Sequence, residues 1–182
     1  PTAPAGEAQE AEEKHKIKDA AGNEIARVKN MGGGRWTVTV DNRKFALESE
    51  GPDVYSFELP GGEKLKAKKK ENKLKLKRGE EVLVEVKFYE DKFKVTPAGS
   101  DTYQFKYKEE KVKVYLGDRE LGQVKYYPDT GKLKAKDEGG REVAVTRGAT
   151  GVSAGLAPFL MEKTVPPETR YFLVAVLYAL NK

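Results

Sequence analysis

The segment "PPETRYFLVAVLYALNK" (166–182) decides how this chain folds, because ten apolar residues run unbroken in it from Tyr171 to Leu180. Pro166 and Pro167 followed by Glu168 make a helix start, with proline near the first position and an acid in the first turn. Ala175 and Ala179 favour helix over a buried strand, and the pattern predicts a helix over 167–181. Tyr171, Phe172, Leu173, Val174, Val176, Leu177, Tyr178 and Leu180 point in every direction around such a helix. A helix that is apolar all round is buried all round. A sheet packed on one side leaves half of it wet, at ~1.5–3 kcal/mol for each large apolar side chain. A closed sheet around the helix avoids that cost. A one-sided core helix or strand, and an exposed docking tail, are the competing arrangements.

The chain upstream supplies such a sheet. From Lys14 to Arg147 polar and apolar residues alternate, as in "KHKIK" (14–18), "RWTVTV" (35–40), "VLVEVKF" (82–88) and "KVKVYL" (111–116). Each is a strand with one wet and one buried face. Turn chemistry such as "MGGG", "PGG", "PAGS" and "PDTG" separates them. About fourteen short strands follow from this pattern, at the spacing of an antiparallel sandwich or barrel. A hairpin unit recurs in "KIKDAAGNEIARVK" (16–29), "KLKLKRGEEVLVEVK" (73–87) and "KVKVYLGDRELGQVK" (111–125), with "KLKAKDEGGREVAVTR" (132–147) as a looser copy. Gly22, Gly79 and Gly117 sit at the turns, where positive φ is needed.

Composition narrows the function. The 182 residues suffice for one fair-sized domain, and with 35% charged residues the net charge of +5 is small beside the total. There is no cysteine, so no disulfide or thiolate chemistry, and the single histidine, His15, excludes sites built on two histidines. His15 itself has the setting of an exposed terminal residue. A membrane-spanning helix needs ~20 apolar residues, more than the terminal run offers. "PTAPAGEAQEAEE" (1–13) has nothing to bury and is expected to be a disordered tether. Two origins fit it: the segment after a secretion signal or lipidated cysteine, or an ordinary disordered terminus. Residues 14–182 then form a single β-barrel-like domain.

The strongest local feature is "KLKAKKKENKLKLKR" (64–78), with nine basic residues and one acidic. Folded as a hairpin around "KEN", it sets Lys64, Lys66 and Lys68 on one side with Lys73, Lys75 and Lys77, and turns Leu65, Ala67, Leu74 and Leu76 inward. Like charges across a hairpin repel. An anionic membrane, a glycan or an acidic partner offsets that repulsion, and Lys64, Lys66, Lys68, Lys73, Lys75, Lys77 and Arg78 are the candidate anion- or lipid-binding residues. The plainer alternative is that these lysines keep strand edges soluble, with acidic neighbours such as Glu80, Glu81 and Glu85 neutralising the patch. No aromatic residue interrupts the segment, which argues against nucleic acid. The glycine-rich "GATGVSAG" (148–155) lacks the Gly-Lys-Ser/Thr ending of a phosphate loop. It is expected to be a joint, with Thr150 or Ser153 as a cap. Arg170 stands at the base of the helix, a position that suits capping the barrel mouth, pairing with a carboxylate or holding an anion, with a structural pair as the expectation. No catalytic or cofactor motif is present.

Three stretches carry a resemblance: "IKDAAGNEIARVKN" (17–30), "GDRELGQVKYYPDTGKLKAKDEGGREVA" (117–144) and "RYFLVAVLYAL" (170–180). Together with the strand pattern they resemble the tubby C-terminal-like superfold, which includes tubby proteins, phospholipid scramblases and LURP-one-related proteins. The resemblance implies an all-β fold with one C-terminal helix, an antiparallel barrel of about twelve strands enclosing a central hydrophobic helix. It also implies a non-enzymatic role at membranes, contacting anionic lipid. The expectation is a membrane-surface binding or tethering module, exported to a bacterial cell envelope or placed at a cytoplasmic membrane surface. Its expected contacts are anionic lipid or an acidic protein partner, and the alternative is a structural or assembly protein, such as an exported lipoprotein of a larger complex, whose barrel edges or loops dock a protein partner.

Overall fold

Every alternating segment named by the sequence becomes a strand of one wall. The computed structural model describes residues 13–182, so the expected tether over 1–13 lies outside the described residues apart from Glu13. The strands are β1 (Lys14–Lys18), β2 (Glu24–Gly32), β3 (Arg35–Val40), β4 (Arg43–Gly51) and β5 (Val54–Glu58). There follow β6 (Lys64–Lys70), β7 (Lys73–Arg78), β8 (Glu81–Phe88), β9 (Lys92–Pro97) and β10 (Tyr103–Lys108). The last are β11 (Lys111–Leu116), β12 (Arg119–Tyr127), β13 (Lys132–Asp137) and β14 (Glu142–Thr146). Each pairs antiparallel with its sequence neighbours, and β1 pairs with β14 to close the barrel.

The wall therefore has fourteen strands rather than about twelve. The larger number follows from the alternation itself: every hairpin arm is long enough to pair on both edges, so none is left over as an extension. In the recurring hairpins β1–β2, β7–β8, β11–β12 and β13–β14 the register shifts by a bulge, at Ile17/Lys18, Leu76/Lys77, Val114/Tyr115 and Ala135/Lys136. Bulges sharpen local twist and bend a strand, which a closing sheet requires. Gly79 and Gly117 both have φ of 60° in the turns that follow two of these bulges, a conformation costly for residues with a Cβ.

Inward residues form one apolar cluster. It includes Ile17, Val28, Val38, Phe57, Leu65, Leu76, Val84, Phe105, Val114 and Val124, none more than 2% exposed. Closure is weakest where the chain's ends meet. One registered pair, Lys18↔Val145, joins β1 to β14, and the Thr146 hydroxyl donates to the Lys16 carbonyl at 2.9 Å beside it.

After Thr146 the chain leaves the wall, makes a 3-10 turn at Ala157–Leu160, and enters α1 (Pro167–Ala179). The helix stops two residues short of the expected 181, and Leu180 closes it with its N–H on the Val176 carbonyl at 2.8 Å. Pro166 is the N-cap and offers no side-chain bond, Pro167 follows it, and Glu168 is in the first turn. Phe172, Leu173, Val174, Ala175, Val176 and Leu177 are all fully buried. The helix backbone runs nearest to β3, β4 and the 3-10 turn. Its rings meet the wall at Phe45–Tyr171, 5.2 Å between centroids, and Phe57–Phe172, 5.4 Å edge to face. Among the described residues no helix is long and apolar enough to cross a membrane.

Candidate functional site

The hairpin β6–β7 presents its lysines as the parity of the sequence requires. Leu65, Ala67, Leu74 and Leu76 face inward, with exposures of 2%, 0%, 0% and 0%. The alternate residues therefore face solvent, and the register sets Lys66 opposite Lys77, Lys68 opposite Lys75, and Lys70 opposite Lys73. Directly opposed Cβ atoms on paired strands are ~4.5–5.5 Å apart, so three rungs of like charge stand on one face. The turn between them is Glu71–Asn72, with Glu71 at φ 57°. Asn72 anchors it to the end of β8 by accepting the Phe88 N–H at 2.8 Å and donating its side-chain amide to the Phe88 carbonyl at 3.2 Å.

The rungs line a groove of about 790 Å³ on the outer wall. Its sides are Lys66, Lys68, Lys70, Lys73, Lys75 and Lys77, with Val54, Glu71 and Gly79 completing the lining. Five of the seven candidate residues are thus brought together: Lys66, Lys68, Lys73, Lys75 and Lys77. Lys64 stands beyond the groove, paired in register with Glu58 on β5. Arg78 is committed elsewhere, its Nε 2.8 Å and its Nη2 3.3 Å from the two carboxylate oxygens of Glu63. The bulge at Leu76/Lys77 sets Arg78 opposite Glu81 in register. Lys70 belongs to the groove and was absent from the candidates. Its signal is plain in retrospect, since it continues the parity of Lys64, Lys66 and Lys68. Lys69 has the opposite parity, and its Nζ lies 5.8 Å from the centre of the Phe88 ring.

Countercharge is sparse. Lys75 Nζ and Lys87 Nζ both lie 3.9 Å from carboxylate oxygens of Glu85. Among the described residues Lys66, Lys68, Lys70, Lys73 and Lys77 make no ion pair. Ammonium groups are compact charges with three donors each, suited to phosphate or carboxylate oxygens. Six of them line one groove.

The other residues singled out by sequence lie at the ends of the barrel. His15 is not an exposed terminal residue: its side chain is 16% exposed. Its ring packs on Tyr178 at 5.0 Å, and its Nε2 lies 3.1 Å from Glu13 Oε1. These residues line a second cavity of about 470 Å³ with Trp36, Thr146, Arg147 and the Gly148–Ser153 loop. The loop links the wall to the helical end, but neither Thr150 nor Ser153 caps a helix: the N-caps are Leu156 for the 3-10 turn and Pro166 for α1, and Ser153 Oγ accepts the Gly155 N–H at 3.1 Å within the loop. Burial pushes the Tyr178 hydroxyl pKa up, and that hydroxyl has no hydrogen-bond partner among the described residues. Thr146 lies beside it, with its own hydroxyl donated to Lys16. Among the described residues Arg170 makes no ion pair with a carboxylate. Its Nη2 donates to the Glu162 and Val165 carbonyls at 2.7 and 3.3 Å, tying the helix base to the preceding turn. No cluster of three or more His, Asp or Glu residues suited to a metal occurs among the described residues.

No family model, no curated protein and no solved structure matches this chain.

Proposed function

We propose that this protein is a non-catalytic module that binds an anionic membrane surface through the β6–β7 lysine groove. The observation that carries this reading is the set of three lysine–lysine rungs with almost no carboxylate among them. Each directly opposed like pair costs stability, of order 0.2–1 kcal/mol. Each basic side chain near an anionic bilayer contributes ~1 kcal/mol in return, and less as salt rises. Six lysines on two neighbouring strands meet a flat surface together, which lysines scattered round a curved wall do not.

The barrel serves this role as a rigid support, closed around α1 in the manner of the tubby C-terminal-like superfold. Six consecutive fully buried residues, Phe172 to Leu177, sweep more than one helical turn, and this favours a helix covered on every side. The up-and-down strand order with a single terminal helix also supports the kinship. The reading extends to an exported bacterial protein of the cell envelope, with a cytoplasmic membrane surface as the alternative. Fractionation of the native host separates these two.

Sedimentation with vesicles tests the central claim. Vesicles containing about 30% anionic lipid carry the protein down at low salt and release it as salt rises. Equal binding to neutral vesicles, or binding to neither, sinks the proposal. A second reading, a structural or assembly component docking an acidic protein, is favoured by Tyr89. It is 41% exposed, with Lys92 Nζ and Lys94 Nζ at 5.7 and 5.6 Å from its ring centre. Capture of a single protein that survives high salt and is lost in Tyr89→Ala would support that reading instead.

A further inference from the structure

The lysine rows do not stop at the groove. Lys70, Lys73, Lys87 and Lys94 are in register across β6, β7, β8 and β9. A second row, Lys108, Lys111, Lys125 and Lys134, crosses β10, β11, β12 and β13. Lys92, Lys106 and Lys113 form a third across β9, β10 and β11. The wall is uneven in this respect. On β3, β4 and β5 the outward rows are mixed instead: Thr37 faces Ala46, Thr39 faces Lys44, and Ser56 faces Glu48. From β6 to β13, eight consecutive strands carry lysine in cross-strand rows.

Fourteen strands share the circumference, so each takes roughly 26° and β11–β12 faces roughly 130° away from β6–β7. No single plane touches both faces. We infer that the lysine wall over β10–β13 is a second anion-binding face, so that one molecule bridges two anionic membrane surfaces. The inference rests on the groove reading and adds a second contact to it.

The second face has its own chemistry. Lys106 Nζ sits 5.0 Å from the Tyr115 ring centre, and Lys125 Nζ and Lys134 Nζ sit 5.1 and 5.2 Å from that of Tyr127. Cation–π contact holds these ammoniums out from the wall as a group. Tyrosine, apolar in its body and polar at its tip, suits the headgroup layer of a bilayer. With lysines over their faces, Tyr115 and Tyr127 are poor platforms for stacked bases, so a bilayer fits better than a nucleic-acid strand. Two carboxylates answer the charge: Glu120, 3.7 Å from Lys113, and Glu142, 3.9 Å from Lys134. Lys106, Lys108, Lys111 and Lys125 have no ion pair among the described residues.

Clustering of vesicles separates two faces from one. Full-length protein is mixed with vesicles of about 30% anionic lipid, and both sedimentation and turbidity are read. The wild type is expected to sediment with the vesicles and to cluster them. The variant Lys106→Gln/Lys111→Gln/Lys125→Gln/Lys134→Gln is expected to sediment still, with clustering reduced about tenfold. The groove variant Lys68→Gln/Lys73→Gln/Lys75→Gln is expected to lose clustering to a similar extent. Far-ultraviolet circular dichroism checks that each variant keeps its β signal. Wild-type sedimentation without clustering overturns the second face alone, as does clustering that persists in the β10–β13 variant. Absence of sedimentation overturns the groove reading and the bridge together.

Discussion

Gly122 shows how closely two strands approach in this wall. A Cβ there would stand 2.2 Å from the Lys136 carbonyl oxygen and 3.1 Å from Leu160 Cδ2. Backbone cannot yield as a flexible side chain can, so Gly122→Ala is expected to cost about 3 kcal/mol, read as a lower urea midpoint. Tyr178 makes the opposite case. Its buried hydroxyl meets no partner in hydrogen-bond geometry among the described residues, with Thr146 beside it already donating to Lys16, so Tyr178→Phe removes an unmet polar group and keeps the ring against His15 and Trp36. The variant should gain about 1 kcal/mol, and a comparable loss would mean that the hydroxyl is bonded in solution. Tyr107 supplies a pH dependence. Burial pushes its pKa up to about 12 from an ordinary 10.0, and its hydroxyl donates to the Lys182 carbonyl. The folded state therefore holds this proton more tightly than the unfolded chain does. That contribution is intact below pH 10.0 and is lost as pH rises through about 12. Alkaline unfolding of Tyr107→Phe should accordingly be less steep across that window.

At the level of elements, period-two alternation located all fourteen strands, because each side chain's burial depends on parity alone. The same parity put Leu74 and Leu76 inside and Lys73, Lys75 and Lys77 outside. Parity fails where a bulge intervenes. At Leu76/Lys77 the shift in register separates Arg78 from the groove, and Glu63, distant in sequence, takes it. His15 failed for another reason. Its neighbour Tyr178 comes from α1, far along the chain, and only the return of the terminal helix brings it to His15 and Trp36. The rungs also yield a prediction. Lys68→Glu places an acid opposite Lys75 and should raise stability by about 0.5 kcal/mol while weakening binding to anionic vesicles. Weaker binding together with lower stability would mean that the substitution acts by disrupting the hairpin.

On the scale of the whole molecule, strands that neighbour each other in the barrel are consecutive in sequence at every step but one. Those thirteen local pairings are hairpins, cheap to close and able to form one after another. The exception is Lys18↔Val145, which joins the beginning of the wall to its end. Contacts of such long separation are the slow ones in folding, since the entropy of the whole loop is lost before they form. A chain emerging from the ribosome therefore carries β1 with one bare edge until Val145 has been made, and every strand added meanwhile is a new bare edge. Until that moment the growing sheet can pair with a neighbour's sheet as readily as with itself. Any substitution that slows the docking of β14 on β1 should therefore favour aggregation over folding.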